Sequence, residues 1–224
     1  DRLPPETFQD RYKAFATKFT HNSTAIEGNS LTLQETEHLL FEDIAPTGKS
    51  FREICEVIGH GRGFDKILEH DSAIAQEFIC DIHKLVMKDT ISPKFHTDIG
   101  QYRSVPVYIS GLEWAPPAPE FVRYEMKNLL SRYSRKRGKI NPLVLAVYFH
   151  VNFEIIHPFI DGNGRVGRLL MNFILYAAGY PMVSIPNVLK YRYYDVLEKA
   201  QVNGDLRPFL EFMLELIDED NSNF

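Results

Sequence analysis

Apolar residues recur at three- and four-residue spacing along most of this chain, the period of helices that bury one face. Tyr12, Phe15 and Phe19 mark a first helix from Pro5 to Ile26, with Gly28 as its terminator. Thr32-x-x-Glu35 and Ser50-x-x-Glu53 each have the spacing at which a hydroxyl and a carboxylate satisfy each other's backbone donors, so each predicts a helix start. The helix after Ser50 carries Ile54, Val57, Ile58, Phe64 and Ile67 and is expected to be interrupted or bent near Gly59, Gly61 and Gly63. A further stripe, Ile74, Phe78, Ile82, Leu85 and Val86, predicts a helix over 72–89, with His83 beside it as a packed or surface residue. Helices are predicted over 120–135, 142–156, 164–178, 188–201 and 208–216. The one at 142–156 is apolar on every side, which places it at the centre.

The period breaks once. From Gly100 to Gly111 short alternation of β-branched and aromatic residues, bounded by glycines, predicts a small β-hairpin with Pro106 at its turn or edge. The proline-rich stretch 114–119 reads as an extended connector. The expected architecture is a single all-α domain over residues 1–224 with one β-hairpin.

Composition narrows the function. The 224 residues carry a net charge of −5, so no global field favours nucleic acid or an anionic membrane. The basic run from Arg132 to Lys139 sits at a helix end, where it complements the dipole. Cys55 and Cys80 fall in apolar helical patterns without C-x-x-C spacing. Buried free thiols in a reducing compartment are therefore expected, which points to the cytoplasm. No apolar run is long enough to span a membrane, and no basic-apolar signal opens the chain.

The chemistry is concentrated in His157-Pro-Phe-Ile-Asp161-Gly-Asn-Gly-Arg165-Val-Gly-Arg168, which joins the two most apolar helices. A helix that begins after a glycine turn offers unpaired N–H groups and a positive dipole end to phosphate. Gly162 and Gly164 let the backbone approach such a ligand, and Arg165 and Arg168 share a face of the first turn. Asp161 suits Mg²⁺ bridged to phosphate oxygens, and His157 suits a general base. A plainer reading makes the glycines an interhelix turn and the arginines surface ion pairs, but the density of reactive groups favours the phosphate site. Two other motifs fail on context. Gly162-x-Gly164-x-x-Gly167 follows no strand, and Gly48-Lys49-Ser50 lacks the P-loop's first glycine, since Asp43 stands there.

The motif resembles the Fic signature, H-x-F-x-[D/E]-G-N-G-R-x-x-R, at His157, Phe159, Asp161, Gly162, Asn163, Gly164, Arg165 and Arg168. The similarity runs from about residue 23 to 210. It implies a helical Fic domain with a catalytic core over about 75–210, and an ATP-dependent protein adenylyltransferase that moves AMP onto a Ser, Thr or Tyr hydroxyl of a target protein. In that scheme His157 is the base, Asp161 holds Mg²⁺, Asn163 and the loop amides of Gly162 and Gly164 cradle the α-phosphate, and Arg165 and Arg168 take the outer phosphates. Tyr194 and Gln201 stand where adenine is contacted. Tyr102, Val107, Tyr108 and Ile109 belong to a flap that docks the target by strand addition. Ser23-x-x-x-Glu27-Gly28, within residues 1–30, resembles the family's N-terminal inhibitory motif, in which the glutamate pairs with the second arginine, here Arg168. Some relatives with such a glutamate also remove AMP; for this chain removal of AMP, self-modification and a homodimer stay open. The rival expectations are a Fic-fold transferase of phosphate or phosphocholine, and a catalytically silent binding module.

Overall fold

The computed structural model describes residues 5–90, 97–109 and 114–222. Among these, α1 spans Pro5–Ile26, α2 Leu33–Phe41, α3 Phe51–Glu69, α4 Gln76–Met87, α5 Pro119–Lys136, α6 Pro142–Ile156, α7 Asn163–Ala177, α8 Lys190–Asn203 and α9 Arg207–Ser222, with a 3₁₀ turn at Asn187–Leu189. No described helix is long and apolar enough to cross a membrane.

The helix starts follow the side chains that the sequence put there. Thr32 and Ser50 each accept the N–H of the glutamate three residues on, and that glutamate bonds back to the cap. Asn141 accepts the N–H of Leu143 at 2.8 Å, with Pro142 in the first turn of α6, where no N–H is missed.

The antiparallel pair α6 and α7 forms the centre. Ala146, Val147, Phe149 and Phe153 of α6 and Val166, Leu169, Leu170, Met171 and Phe173 of α7 are all fully buried. Each large apolar side chain among them contributes about 1.5–3 kcal/mol on burial. Asn172 sits inside this core without penalty because it exchanges two bonds with the Val183 backbone, at 2.7 and 2.9 Å. That pairing pins the segment after α7 against its own helix.

Helix α3 runs without interruption through Gly59, Gly61 and Gly63, where an interruption or a bend was expected. The glycines serve close packing instead. A Cβ at Gly59 would lie 2.5 Å from the Leu85 carbonyl of α4, and one at Gly61 would lie 2.7 Å from the Leu40 side chain of α2.

The hairpin expected at 100–111 does not form among the described residues, and 110–113 lie outside them. Pro106 has no N–H for a ladder, and the N–H of Arg103 is bonded to the carbonyl of Pro158 at 2.9 Å. A hairpin without a third strand or a packed face is marginal in any case. Cys55 and Cys80 are free but only partly buried.

Candidate active site

His157 ends α6 in the left-handed conformation, φ 47°, which is costly for a residue with a Cβ. The turn is held from both sides. Its N–H reaches Phe153 at 2.9 Å, and its carbonyl accepts from Arg103 Nε at 2.8 Å. Arg103 also donates to the carbonyls of Ile156, Val105 and Pro117, so a buried guanidinium caps the negative end of α6.

Beyond His157 the loop closes on itself. Asn163 accepts from the Phe159 N–H and donates to the Phe159 carbonyl, both at 2.9 Å. Phe159 is fully buried and stacks on His83 at 3.7 Å between ring centroids. His83 Nδ1 accepts the Gly100 N–H at 2.8 Å, which leaves Nε2 as the donor to the Asp161 carbonyl at 3.1 Å. The histidine that sequence reasoning left as a packing residue therefore fixes the loop's height and its distance from residue 100.

Gly162, φ 80°, opens α7 in a conformation that glycine adopts freely. At Gly164 an added Cβ would lie only 2.4 Å from Glu27 Oε1. The bare backbone there makes room for a carboxylate at the positive end of α7. Arg168, almost wholly buried, completes the arrangement: Nη2 donates to Glu27 Oε1 at 2.7 Å and to the Ser23 carbonyl at 2.8 Å, and Nε donates to Ser23 Oγ at 3.0 Å. Burial opposes its charge, but Glu27 and Tyr193 hold it protonated. Residues 141 and 145 positions apart are thus joined.

A cavity of about 470 Å³ adjoins these groups, lined by Glu27, Glu154, His157, Gly164, Arg168 and Tyr193, and also by Tyr194, Gln201 and Ile109. Burial lowers His157 to about 4, helped by Arg103, so the imidazole is neutral at neutral pH. Burial also pushes Tyr194 up to about 12.

Three expected positions are used differently. Arg165 does not line the cavity; it is buried between Asp161, 3.2 Å away, and Glu56, 3.6 Å away. The Asn163 side chain is engaged within the loop. Tyr102 turns inward onto Phe159, with ring centroids 5.6 Å apart, whereas Tyr108 is 87% exposed and Val107 half-buried. Asp161 Oδ1 accepts from Gly162 N–H at 2.6 Å, and Oδ2 faces Arg52 at 3.4 Å. No cluster of three or more metal-ligating side chains occurs among the described residues.

Sequence reasoning missed Glu154, Arg103 and Arg52. Arg103 sits in the stretch read as a strand, Arg52 lies beside the apolar stripe of α3, and Glu154 is a single acid in a helix apolar on every side. A second cavity of about 400 Å³, lined by residues of α1, α2 and α3, is distant from this chemistry, and its polar pair Tyr12 and Asp65 is bonded to itself.

Residues 73–175 match the Fic/DOC family model. The chain is 35% identical to the protein adenylyltransferase Fic of Nematostella vectensis over 198 residues, which covers 86% of this chain and 45% of that protein. A Fic domain containing signaling protein from Bacteroides thetaiotaomicron superposes with a TM-score of 0.89 at 27% identity, covering 97% of this chain and 88% of that one. Fic-1 from Caenorhabditis elegans gives 0.83 at 28% identity over 99% and 65%. The chain spans less than half the length of the curated relatives it matches. With the signature loop, its helical frame and its likeness to these structures in agreement, the chain belongs to the Fic/DOC family.

Proposed function

We propose that this chain is an ATP-dependent protein adenylyltransferase, a single Fic domain whose first helix restrains it through Glu27. The observation that carries the reading is the 2.7 Å pair between Arg168 and Glu27 at the start of α7. A helix N-terminus flanked by a buried guanidinium is an anion site, and a side chain of the protein itself now fills it. Withdrawal of Glu27 frees Arg168 and the α7 amides for phosphates.

In this reading the neutral His157 accepts the proton of a target Ser, Thr or Tyr hydroxyl as its oxygen attacks the α-phosphorus of ATP and pyrophosphate leaves. The loop amides at Gly162, Asn163 and Gly164 receive the α-phosphate, while the Asn163 side chain keeps the loop closed. Arg168 takes the outer phosphates, and the burial of Arg165 against Asp161 supports an orienting role for it. Asp161 would hold Mg²⁺, which would supply positive charge to offset that of the phosphates; a magnesium ion held by one protein carboxylate beside substrate phosphates is a common mode of binding. Tyr194 and Gln201 offer a wall for adenine. Exposed Tyr108, with Val107 and Ile109, supports a docking edge for an extended target segment, with Tyr102 as its buried root. Self-modification, a homodimer and removal of AMP with Glu27 placing a water extend the same reading. The intact Gly162-Asn163-Gly164 loop favours AMP over phosphate or phosphocholine, and the mass added to a modified target distinguishes them.

The test is incorporation of label from ATP carrying ³²P at the α position. Glu27→Gly raises labelling of the protein itself or of a target in lysate, and His157→Ala in that background abolishes it. Labelling unchanged in both variants overturns the reading. Calorimetric titration with Mg-ATP separates a restrained site from a dead one, since only the former gains affinity in Glu27→Gly.

A further inference from the structure

The cavity wall behind His157 holds a second carboxyl, one that lies outside the signature. Glu154 stands one turn earlier on α6, with its side chain only 9% exposed. Its Oε2 is 3.7 Å from His157 Nδ1. Both His157 Nδ1 and Glu154 Oε1 are buried without a hydrogen-bond partner. Two orphaned polar atoms on one wall carry a desolvation cost unless the pair has work that stricter bonding would obstruct. Gly167 keeps the space open: a Cβ there would lie 2.5 Å from Glu154 Oε1 and 2.9 Å from His150 Nδ1. The third glycine of the loop, which no phosphate contact requires, is explained by this carboxyl.

With Nδ1 turned into the wall, where the backbone carbonyl of Glu154 also faces it, Nε2 is the ring nitrogen left for the cavity. We propose that Glu154 is a positioning residue for His157: its carboxylate keeps the proton on Nδ1, leaves Nε2 bare toward the cavity and faces the positive charge that the ring gains. The inference rests on the reading of His157 as the base. The hydroxyl proton passes to Nε2 as the target oxygen bonds to phosphorus and pyrophosphate departs. The Nδ1 proton stays between ring and carboxylate throughout.

The helpful form of Glu154 is ionised, and its surroundings set when that occurs. Burial raises it to about 8; Arg168 from α7 pulls it down and Glu27 from α1 pushes it up, while neutral His150, Tyr193 and His157 complete its shell. Glu27 therefore restrains the site twice, by occupying Arg168 and by keeping Glu154 neutral. Without Glu27 the carboxyl ionises at lower pH.

The experiment is ¹⁵N NMR of the histidine ring nitrogens in the full chain, with His157→Ala for assignment and no substrate present. The His157 nitrogens should show a step centred near pH 8, which moves to lower pH in Glu27→Gly and disappears in Glu154→Gln, an isostere that preserves packing. In the Glu27→Gly background, Glu154→Gln should also lower kcat roughly tenfold with KM for ATP within twofold. A His157 signal without that step, or a step that survives Glu154→Gln, overturns the proposal. So does a loss confined to KM or to Tm, which a packing role alone would give. Because the NMR arm needs no turnover, absence of adenylylation in Glu27→Gly would refute the activity and leave the Glu154 result standing.

Discussion

The loop from His157 to Arg168 and the segment from Gly100 to Ile109 pack directly against each other, yet they are held by opposite means. The loop is tied by its own neighbours: Asn163 to Phe159, Gly162 to Asp161 and His157 to Phe153, no more than four residues apart. The segment borrows nearly everything. Its Arg103 reaches carbonyls 14 and 54 positions away, its Gly100 leans on His83, and its Tyr102 rests on Phe159. Local bonding makes a cradle that stands ready before any ligand arrives. Borrowed bonding makes an edge whose order depends on the loop it faces.

The sharpest way to break that contrast is Arg103→Ala. It removes one guanidinium from four carbonyls, two of them at the buried end of α6. The expected cost is about 3 kcal/mol, a fall in Tm of roughly 6–12 °C by calorimetry. Since Arg103 helps to depress His157, the imidazole should also titrate above its present value of about 4, readable by NMR. If the segment loosens while His157 is unchanged, the two regions are independent and the comparison fails.

This contrast also explains what could be read from the chain beforehand. Caps at Thr32, Ser50 and Asn141 act within three residues, so their helices were legible from spacing alone. The pair of Glu27 with Arg168 was legible through family resemblance, because no periodicity relates positions so far apart. Glu154 was invisible: on a helix apolar all round, a single acid looks like noise until the fold turns it toward His157. The hairpin was misread for the complementary reason. Alternation at 100–109 reports half-burial against the loop and α5, and half-burial does not require a partner strand. Gly59, Gly61 and Gly63 do not interrupt α3, because glycine signals flexible backbone and close contact in the same letter, and here it marks contact.

Gly162→Ala probes the self-held side and has a smaller effect. A left-handed φ of 80° strains any L side chain, and the new Cβ would lie 2.5 Å from Met87 Sδ. About 2 kcal/mol is expected, or roughly 4–8 °C in Tm. Repeating the change in Met87→Ala should recover the packing share and leave the backbone share, a separation that a double-mutant cycle measures. Full recovery would mean that φ carries no cost there, and that the loop's shape is imposed by α4 after all.

His83→Phe is the mildest change and the most discriminating, because His83 belongs to neither region and bonds to both. Phenylalanine keeps the stack on Phe159 and loses the bonds to Gly100 and Asp161. The loss should be about 1 kcal/mol globally. The Gly100 amide should exchange with solvent far faster, while amides within the loop hold their protection. The pH dependence supplies the second reading. Burial lowers His83 to about 4, with Arg165 adding to it. Its neutral form is the one that accepts the Gly100 N–H. The unfolded chain therefore binds the proton first, and the contribution of His83 to stability is full above about pH 6.5 and is lost as pH falls toward 4. His60, His150 and His157 are depressed in the same direction, so acid sensitivity persists in His83→Phe but with a shallower slope across that window. An unaltered slope would show that His83 titrates alike folded and unfolded, and that the link between loop and segment is the stacked ring rather than its nitrogens.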